Sequence, residues 1–214
     1  MKYKKIAIIA TLGFASSLAV AGSFDGPFVQ GGGGFSNMQT EVNAPGWFSS
    51  KLSDSSFIGQ LAAGYSHSMG SFNLAASAYY VVGDQKAGRF DYSSSGIGSL
   101  AFKSKNAWGV SIEPGFNLSE STIAYGKIGY VDAKGMASDN WTSGGLNRSS
   151  TYNGSFHGYS YGAGLKHKFS ANLYAVAEIQ QVNYQSKTWT YSNGYQVSMK
   201  PNSLTGIIGI GYKF

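Results

Sequence analysis

The 214-residue sequence predicts an all-β fold, an eight-stranded antiparallel up-and-down transmembrane β-barrel, and three observations support this prediction. Large apolar residues alternate with small or polar ones at a period of two, and helical periodicity is absent. The alternating segments are separated by gaps that are long and short in strict turn. The chain also finishes on such a segment, Gly209-Ile210-Gly211-Tyr212-Lys213-Phe214, in which Ile210, Tyr212 and Phe214 share one face.

The first 21 residues predict an export signal that is removed from the mature protein. Three lysines lie within residues 2–5, residues 6–14 are apolar, and Ala19-Val20-Ala21 is a small-residue cleavage site. The apolar stretch is too short for a membrane-anchoring helix. We therefore expect a signal peptide at residues 1–21 and one barrel domain at residues 22–214.

The composition indicates that something other than charge covers the surface. Charged residues make up 12% of the chain, about half the share in an ordinary soluble domain. Removal of the leader lowers the formal net charge from +6 to +3, and no dense basic cluster remains, which argues against nucleic acid binding. The absence of cysteine excludes disulfides, thiolate metal ligands and a cysteine nucleophile.

Eight segments rich in Tyr, Phe and Val are predicted as strands because they alternate and are bounded by turn residues. The long gaps follow the first, third, fifth and seventh strands and are predicted as loops. Such alternation is typical of a barrel with tight turns on one side of a membrane and long loops on the other, and both termini then lie with the tight turns. The strands are approximately residues 27–40, 56–66, 72–83, 106–117, 122–134, 156–169, 173–185 and 203–214, and the long gaps are residues 41–55, 84–105, 135–155 and 186–202.

The two faces of each strand differ in size as well as polarity. In the fourth strand Trp108, Val110 and Ile112 share one face, and the other face carries small or polar residues. We expect the large side chains to face lipid, with small and ionic ones filling a narrow interior. An unpaired backbone group costs several kcal/mol in hydrocarbon, so the last strand must pair with the first. Residues 31–34, all glycine, predict close backbone approach; a phosphate-binding loop would need a following Lys-Ser/Thr and a helix.

Three motifs make the chain resemble the small eight-stranded outer-membrane barrel families, namely the OmpA-like transmembrane domain and the porin-like outer membrane protein β-barrel proteins. They are Phe28-Val29-Gln30-Gly31-Gly32-Gly33, Tyr125-Gly126-Lys127-Ile128-Gly129-Tyr130 and the terminal segment ending at Phe214. The resemblance covers essentially residues 24–214 and implies a place in the outer membrane of a Gram-negative cell envelope. OmpA itself continues into a periplasmic peptidoglycan-binding domain, whereas this sequence stops at Phe214. The resemblance therefore does not imply cell-wall tethering by that route.

The resemblance also implies partners. These are the outer-membrane lipids, lipopolysaccharide, and the barrel-assembly machinery, for which Tyr212 and Phe214 are the expected C-terminal signal. No nucleic acid partner and no cofactor are expected, and the sequence identifies no surface ligand.

Four charged residues fall on the inward face, namely Glu113, Lys127, Lys166 and Glu178. Hairpin counting places Glu113 almost directly across from Lys127, because each lies about seven residues from the turn near Ser119 and Glu120. A lone charge inside a narrow barrel is costly, so we expect a Glu113–Lys127 bridge, extended by Glu178 and Lys166, that plugs the lumen. The alternative is a set of separately hydrated charges along a thin water path.

Catalytic and metal-binding constellations are weak. Lipid A acyltransferases and deacylases use His with Ser and an acid near the outer rim, but His67 and His167 fall at the tight-turn end, and His157 is predicted to face lipid or the aromatic girdle. No nucleophile, base and acid stand at workable spacing. The aspartates are scattered without a metal-ligand pattern. We therefore expect neither a metal site nor enzymatic activity.

The remaining candidates lie in the long gaps. Trp47, Trp141 and Trp189 are far enough from the girdle to contact a surface partner. A set of basic residues is expected either to meet lipopolysaccharide phosphates or to be simply solvated, namely Lys51, Lys86, Arg89, Lys103, Lys105 and Arg148. The favoured function is a structural outer-membrane protein of the porin-like class that supports envelope integrity and displays four surface loops. The alternatives are a narrow diffusion channel, adhesin-like recognition through the loops and, last, a lipid A-modifying enzyme.

Overall fold

The computed structural model describes residues 24–45, 48–93, 97–190 and 196–214. The expected signal peptide at residues 1–21 lies outside these ranges. The described residues form one antiparallel sheet and contain no helix with the length and apolar character needed to cross a bilayer. The sheet contains ten strands: β1 (Gly26–Ala44), β2 (Phe48–Met69), β3 (Phe72–Val82), β4 (Gln85–Ser93), β5 (Ile97–Ser119), β6 (Thr122–Ser143), β7 (Leu146–Lys168), β8 (Leu173–Tyr184), β9 (Lys187–Thr190) and β10 (Gln196–Lys213).

The sheet closes into a ring of eight positions, which confirms the predicted barrel. The ring order is β1-β2-β3-β5-β6-β7-β8-β10, and β10 returns to β1. This closing ladder runs from Phe28 opposite Lys213 to Asn43 opposite Ser198. The two further strands extend ring positions, because β4 follows β3 and pairs with β5, whereas β9 follows β8 and pairs with β10. Closure leaves no open edge within the hydrocarbon region.

The expectation that the long gaps are loops is wrong for much of their length. Strands β6 and β7 run on to a tight turn at Gly144 and Gly145, whose φ angles are 56° and 80°. Strands β1 and β2 likewise extend to Ala44 and from Phe48. Beyond the lipid boundary the outward face of a strand meets water, so its outward residues are polar. The apolar alternation that signals a strand fades there, although backbone pairing continues.

The outer surface of the ring is apolar, as expected. On β5 the side chains of Trp108, Val110, Ile112 and Phe116 are all exposed, whereas the intervening Ser111 and Glu113 are buried. These outward residues form a band of the length that a tilted transmembrane strand requires. A soluble barrel would bury the apolar face and expose the polar one.

The interior is divided into layers, and two of them depart from the expectation of small and ionic residues. An apolar cluster with Phe28, Tyr125 and Tyr174 occupies the end near the termini. The half toward the long hairpins is also an apolar core, and it includes Met38, Val42, Leu52, Ile58, Phe102, Val131, Phe156, Val182 and Met199. Four of these residues, Val42, Leu52, Phe102 and Met199, lie in the strand extensions, within the gaps that the sequence predicts as loops. The other five lie inside predicted strands, on the inward face where small or ionic residues are expected.

Close packing between β1 and β10 explains part of the glycine run. A Cβ atom at Gly34 would overlap the carbonyl oxygen of Gly206, and one at Gly32 would lie 2.5 Å from the carbonyl oxygen of Ile208. Real Cβ atoms do not approach backbone oxygens so closely. The closing ladder therefore depends on glycine at these two inward positions.

Candidate functional site

Two buried ion pairs cross the lumen between the two apolar layers. Lys127 Nζ lies 2.8 Å from Glu178 Oε1, and Lys166 Nζ lies 2.8 Å from Glu113 Oε2. At most 8% of any of these four side chains is exposed. All four residues that the sequence placed on the inward face thus meet in one layer, with each cation against an anion.

The partners within this layer are exchanged relative to the expected Glu113–Lys127 bridge. These two residues do face each other across the β5–β6 ladder, as the pairs Ile112–Ile128 and Gly115–Tyr125 on either side show. Each nevertheless binds a residue two ring positions away. A narrow, sheared barrel brings non-adjacent strands within reach of a lysine side chain, and hairpin counting alone does not report such distances.

Glycines on β7 make the longer reach feasible. Gly162 stands opposite Lys127, and Gly164 stands opposite Glu178, so no side chain of β7 separates the two charges. The ring of Tyr125 occupies the space beside Gly164, where a Cβ would lie 2.5 Å from the tyrosine oxygen. Its hydroxyl donates a 2.8 Å hydrogen bond to Glu178 Oε2. The carboxylate therefore accepts from a lysine and a tyrosine together.

Glu113 is held in the same manner. The hydroxyl of Ser77 on β3 donates a 2.6 Å hydrogen bond to Glu113 Oε1, while Lys166 donates to the other oxygen. Both carboxylates thus have each oxygen satisfied by a separate donor. A buried charge is tolerable only with such compensation, because desolvation of an isolated carboxylate costs several kcal/mol.

Aromatic rings lie against both ammonium groups. Lys127 Nζ lies 4.5 Å from the ring centroid of Tyr79, and Lys166 Nζ lies 4.6 Å from the centroids of both Phe28 and Tyr125. A ring face attracts a cation within about 6 Å of its centroid. The rings therefore add attraction and also occupy the space through which water would otherwise reach the charges.

Two cavities beside the ion pairs are very small. One of about 10 Å³ is lined by Phe28, Glu113, Tyr125 and Lys166, among others, and a second of about 10 Å³ touches Glu178. A single water needs roughly 10–15 Å³. Each of these two cavities therefore has room for about one water beside the charges.

Residues 6–214 match the family model described as "Outer membrane protein beta-barrel domain". The chain belongs to this family. It is an outer-membrane β-barrel protein, as the resemblance implied. No curated protein matches the sequence significantly.

Several solved structures are similar to this chain at low sequence identity. OprG from Pseudomonas aeruginosa is 10% identical, with a TM-score of 0.53, over 91% of this chain and 99% of that one. Ail, the attachment invasion locus protein of Yersinia pestis, crystallised with the heparin analogue sucrose octasulfate, is 18% identical, with a TM-score of 0.40, over 87% of this chain and 99% of that one. Neisserial surface protein A is 15% identical, with a TM-score of 0.37, over 88% and 97%.

The histidines of the barrel lie outside the lumen layer. His157 faces outward and stacks on Tyr130, and its Nδ1 lies 2.6 Å from Asp132 Oδ2. The acidic partner was not anticipated, although counting from the β6–β7 turn would have placed Asp132 opposite His157. His67 lies 3.7 Å from Asp25, and His167 contacts Thr122. Within the described residues, no three His, Cys, Asp or Glu side chains are grouped to hold a metal ion.

Two of the three predicted loop tryptophans lie on paired strands. Trp141 lies on β6 opposite Arg148, near the β6–β7 turn, and is half-buried. The backbone of Trp189 pairs with Val197 between β9 and β10, and Trp47 lies outside the described residues. At the opposite end of the barrel, the rings of Tyr212 and Phe214 contact edge to face, with centroids 5.0 Å apart.

Proposed function

We propose that this outer-membrane barrel is a structural protein with a closed lumen, which supports the envelope and carries β-hairpins on the cell surface. The observation that carries the proposal is the layer of two buried ion pairs, Lys127–Glu178 and Lys166–Glu113. An apolar core continues above this layer toward the hairpins. Conduction would have to pass both barriers.

Opening the charged layer is energetically unfavourable. Separation of a buried ion pair leaves both charges without compensation. Removal of one partner of such a pair costs about 3–5 kcal/mol. The interior above it is filled by large side chains such as Phe102, Val131 and Phe156. The buried polar groups among them include Ser36, which accepts hydrogen bonds from Gln85 and Thr205. A narrow diffusion channel is therefore the less favoured reading.

The surface hairpins support adhesin-like recognition as a second candidate. Leu146, the first residue after the β6–β7 turn, has 73% of its surface exposed. Arg148 and Trp141 lie on the same ribbon. An exposed apolar residue beside an arginine and a tryptophan has the composition of a recognition surface. No catalytic role is proposed.

Two partners belong to the same proposal. Lipopolysaccharide would surround the hairpin end of the barrel, because it forms the outer leaflet. The barrel-assembly machinery would recognise the outward rings of Tyr212 and Phe214, which are exposed to 42% and 63%. These rings make a contact with each other and leave their remaining faces accessible.

Planar-bilayer conductance tests the closed lumen. The wild type and the Lys127→Ala variant should both lack steady conductance, because the apolar core remains in place. A triple variant, Lys127→Ala with Phe102→Ala and Phe156→Ala, should conduct, since it removes part of each barrier. Lys51→Ala, an exposed site, serves as the control. Steady conductance by the wild type would overturn the proposal and favour the channel.

A further inference from the structure

Four lysines share one outward surface beyond the lipid-facing band. Lys86 of β4 stands opposite Lys103 of β5, and Lys105 of β5 stands opposite Lys134 of β6. Their neighbours Gln85, Ser104 and Ala133 point into the barrel and are buried. We call these four lysines the basic face.

Repulsion within the basic face is only partly offset. Like charges directly opposite each other on neighbouring strands destabilise a sheet. A single acid, Asp84, serves two of them, with Oδ2 at 3.1 Å from Lys103 Nζ and 3.7 Å from Lys105 Nζ. The hydrogen bond with Asp84 raises the pKa of Lys103, so this lysine is a cation at neutral pH. Among the described residues, Lys134 has no acidic partner within 4.0 Å.

A second pair of lysines on the barrel has its positive charge compensated by an acid of the chain. On β1, Glu41 stands opposite Lys51 of β2 on one side and opposite Lys200 of β10 on the other. An acid thus separates these two lysines. The basic face has the opposite arrangement, because its lysines face each other directly. It therefore needs an anion from outside the chain more than the Glu41 region does.

The height of the basic face indicates where such an anion would come from. The rings of Trp108 and Tyr130 pack edge to face immediately on the membrane side, with centroids 6.5 Å apart. Outward aromatic rings of this kind mark the membrane–water interface of a barrel. Lys105 and Lys134 occupy the next outward row, at the level of lipid headgroups. Asp132, in the row of the rings, is bound to His157 and not to the lysines.

We propose that the basic face binds the phosphate groups of an outer-leaflet lipid, with Lys105 and Lys134 donating to one phosphate and Lys86 and Lys103 to a neighbouring one. The proposal deepens the proposed contact with lipopolysaccharide by assigning residues to it. It does not depend on the closed lumen. Loss of lipid binding would leave the conductance result unchanged, so the two can fail separately.

Refolded full-length mature barrel in nanodiscs tests the site. The probes are discs containing bisphosphorylated lipid A and discs containing the same lipid without phosphates. The wild type should unfold at a higher temperature with the phosphorylated lipid. Lys105→Gln with Lys134→Gln should lose most of this difference, whereas Lys51→Gln with Lys200→Gln, which removes equal charge, should keep it. Lipid A affinity should fall about 30-fold for the first pair.

Folding of the variants is checked in a nonionic detergent without phosphate. There the Lys105→Gln, Lys134→Gln barrel should be at least as heat-resistant as the wild type, because repulsion is removed. Equal losses from both lysine pairs in phosphorylated discs would indicate general surface charge and overturn the proposal. An unchanged response of the Lys105, Lys134 variant would also overturn it. So would an equal shift produced by inorganic phosphate in solution, which would identify a free anion as the ligand.

Discussion

Lys127 of β6 donates a 2.8 Å hydrogen bond to Glu178 of β8, across the intervening strand β7. The inward residues of β7 at this height are Gly162 and Gly164, which leave the path between the two side chains open. The bond therefore joins strands that share no backbone ladder. It braces the barrel from within.

Loss of the lysine should be strongly destabilising. In Lys127→Met the side-chain volume is nearly kept, but Glu178 remains buried without its cation. We expect a loss of about 3–5 kcal/mol in the free energy of unfolding. Urea titration in detergent, followed by gel mobility, measures this loss.

The matched controls separate charge from packing. Lys127→Met combined with Glu178→Leu should recover most of the lost stability, because no unpaired charge remains. Lys51→Met, at an exposed site, should change stability by about 0.5 kcal/mol or less. A single Lys127→Met variant as stable as the wild type would contradict the buried pair.

Barrel closure should fail when a side chain is added at Gly34. The Cβ of Gly34→Ala would meet the carbonyl oxygen of Gly206, so β1 and β10 would have to separate. We expect a reduced fraction of the compact, heat-modifiable band on gels. Gly206→Ala is the control, since a Cβ there has nothing within 4 Å. Equal behaviour of the two variants would show that the ladder tolerates the added atom.

Side chains of the apolar core should contribute more to the free energy of unfolding than the lipid-facing rings do. Phe102 packs edge to face on Phe156, with centroids 5.6 Å apart, and both are buried. Phe102→Ala should cost about 3–5 kcal/mol because it leaves a cavity. Phe57→Ala changes a ring that is 69% exposed to lipid and should cost much less. Calorimetric or urea unfolding in one detergent compares them; equal costs would argue against a packed core.

The terminal ring should matter for assembly more than for stability. Phe214→Ala is expected to lower the amount of barrel inserted in cells, while refolding of the purified chain into detergent stays unchanged. Phe169→Ala removes another exposed outward phenylalanine near a tight turn and serves as the control. If both variants insert equally well, Phe214 is not a specific signal.

The fold was largely predictable because lipid imposes a simple rule on each strand. Trp108, Val110 and Ile112 repeat at every second position, and a lipid-facing surface requires this repeat over the whole span. The same rule placed Glu113, Lys127, Lys166 and Glu178 on the inward face. Register across one hairpin also followed from the sequence, since Glu113 does face Lys127.

The sequence did not predict which side chains come within bonding distance of each other across the lumen. The choice of Glu178 as the acceptor of Lys127 depends on strand tilt, on shear and on the missing side chain at Gly162. The apolar core was overlooked for another reason. Phe102 and Phe156 lie at or beyond the ends of the predicted strands, where the outward residues are polar and the alternation is weak.

The tight turn at Gly144 and Gly145 ends the β6–β7 hairpin, which continues well past the row of Lys134 while β5 remains paired with β6 as far as Thr142. At roughly 3.3 Å per residue, the stretch from Lys134 to Ser143 spans about 30 Å along the strand. The turn therefore lies away from the bilayer, at the tip of a hairpin whose backbone is paired. A short epitope inserted between the two glycines would be held out for antibodies on intact cells, without disturbing the wall of the barrel beneath it.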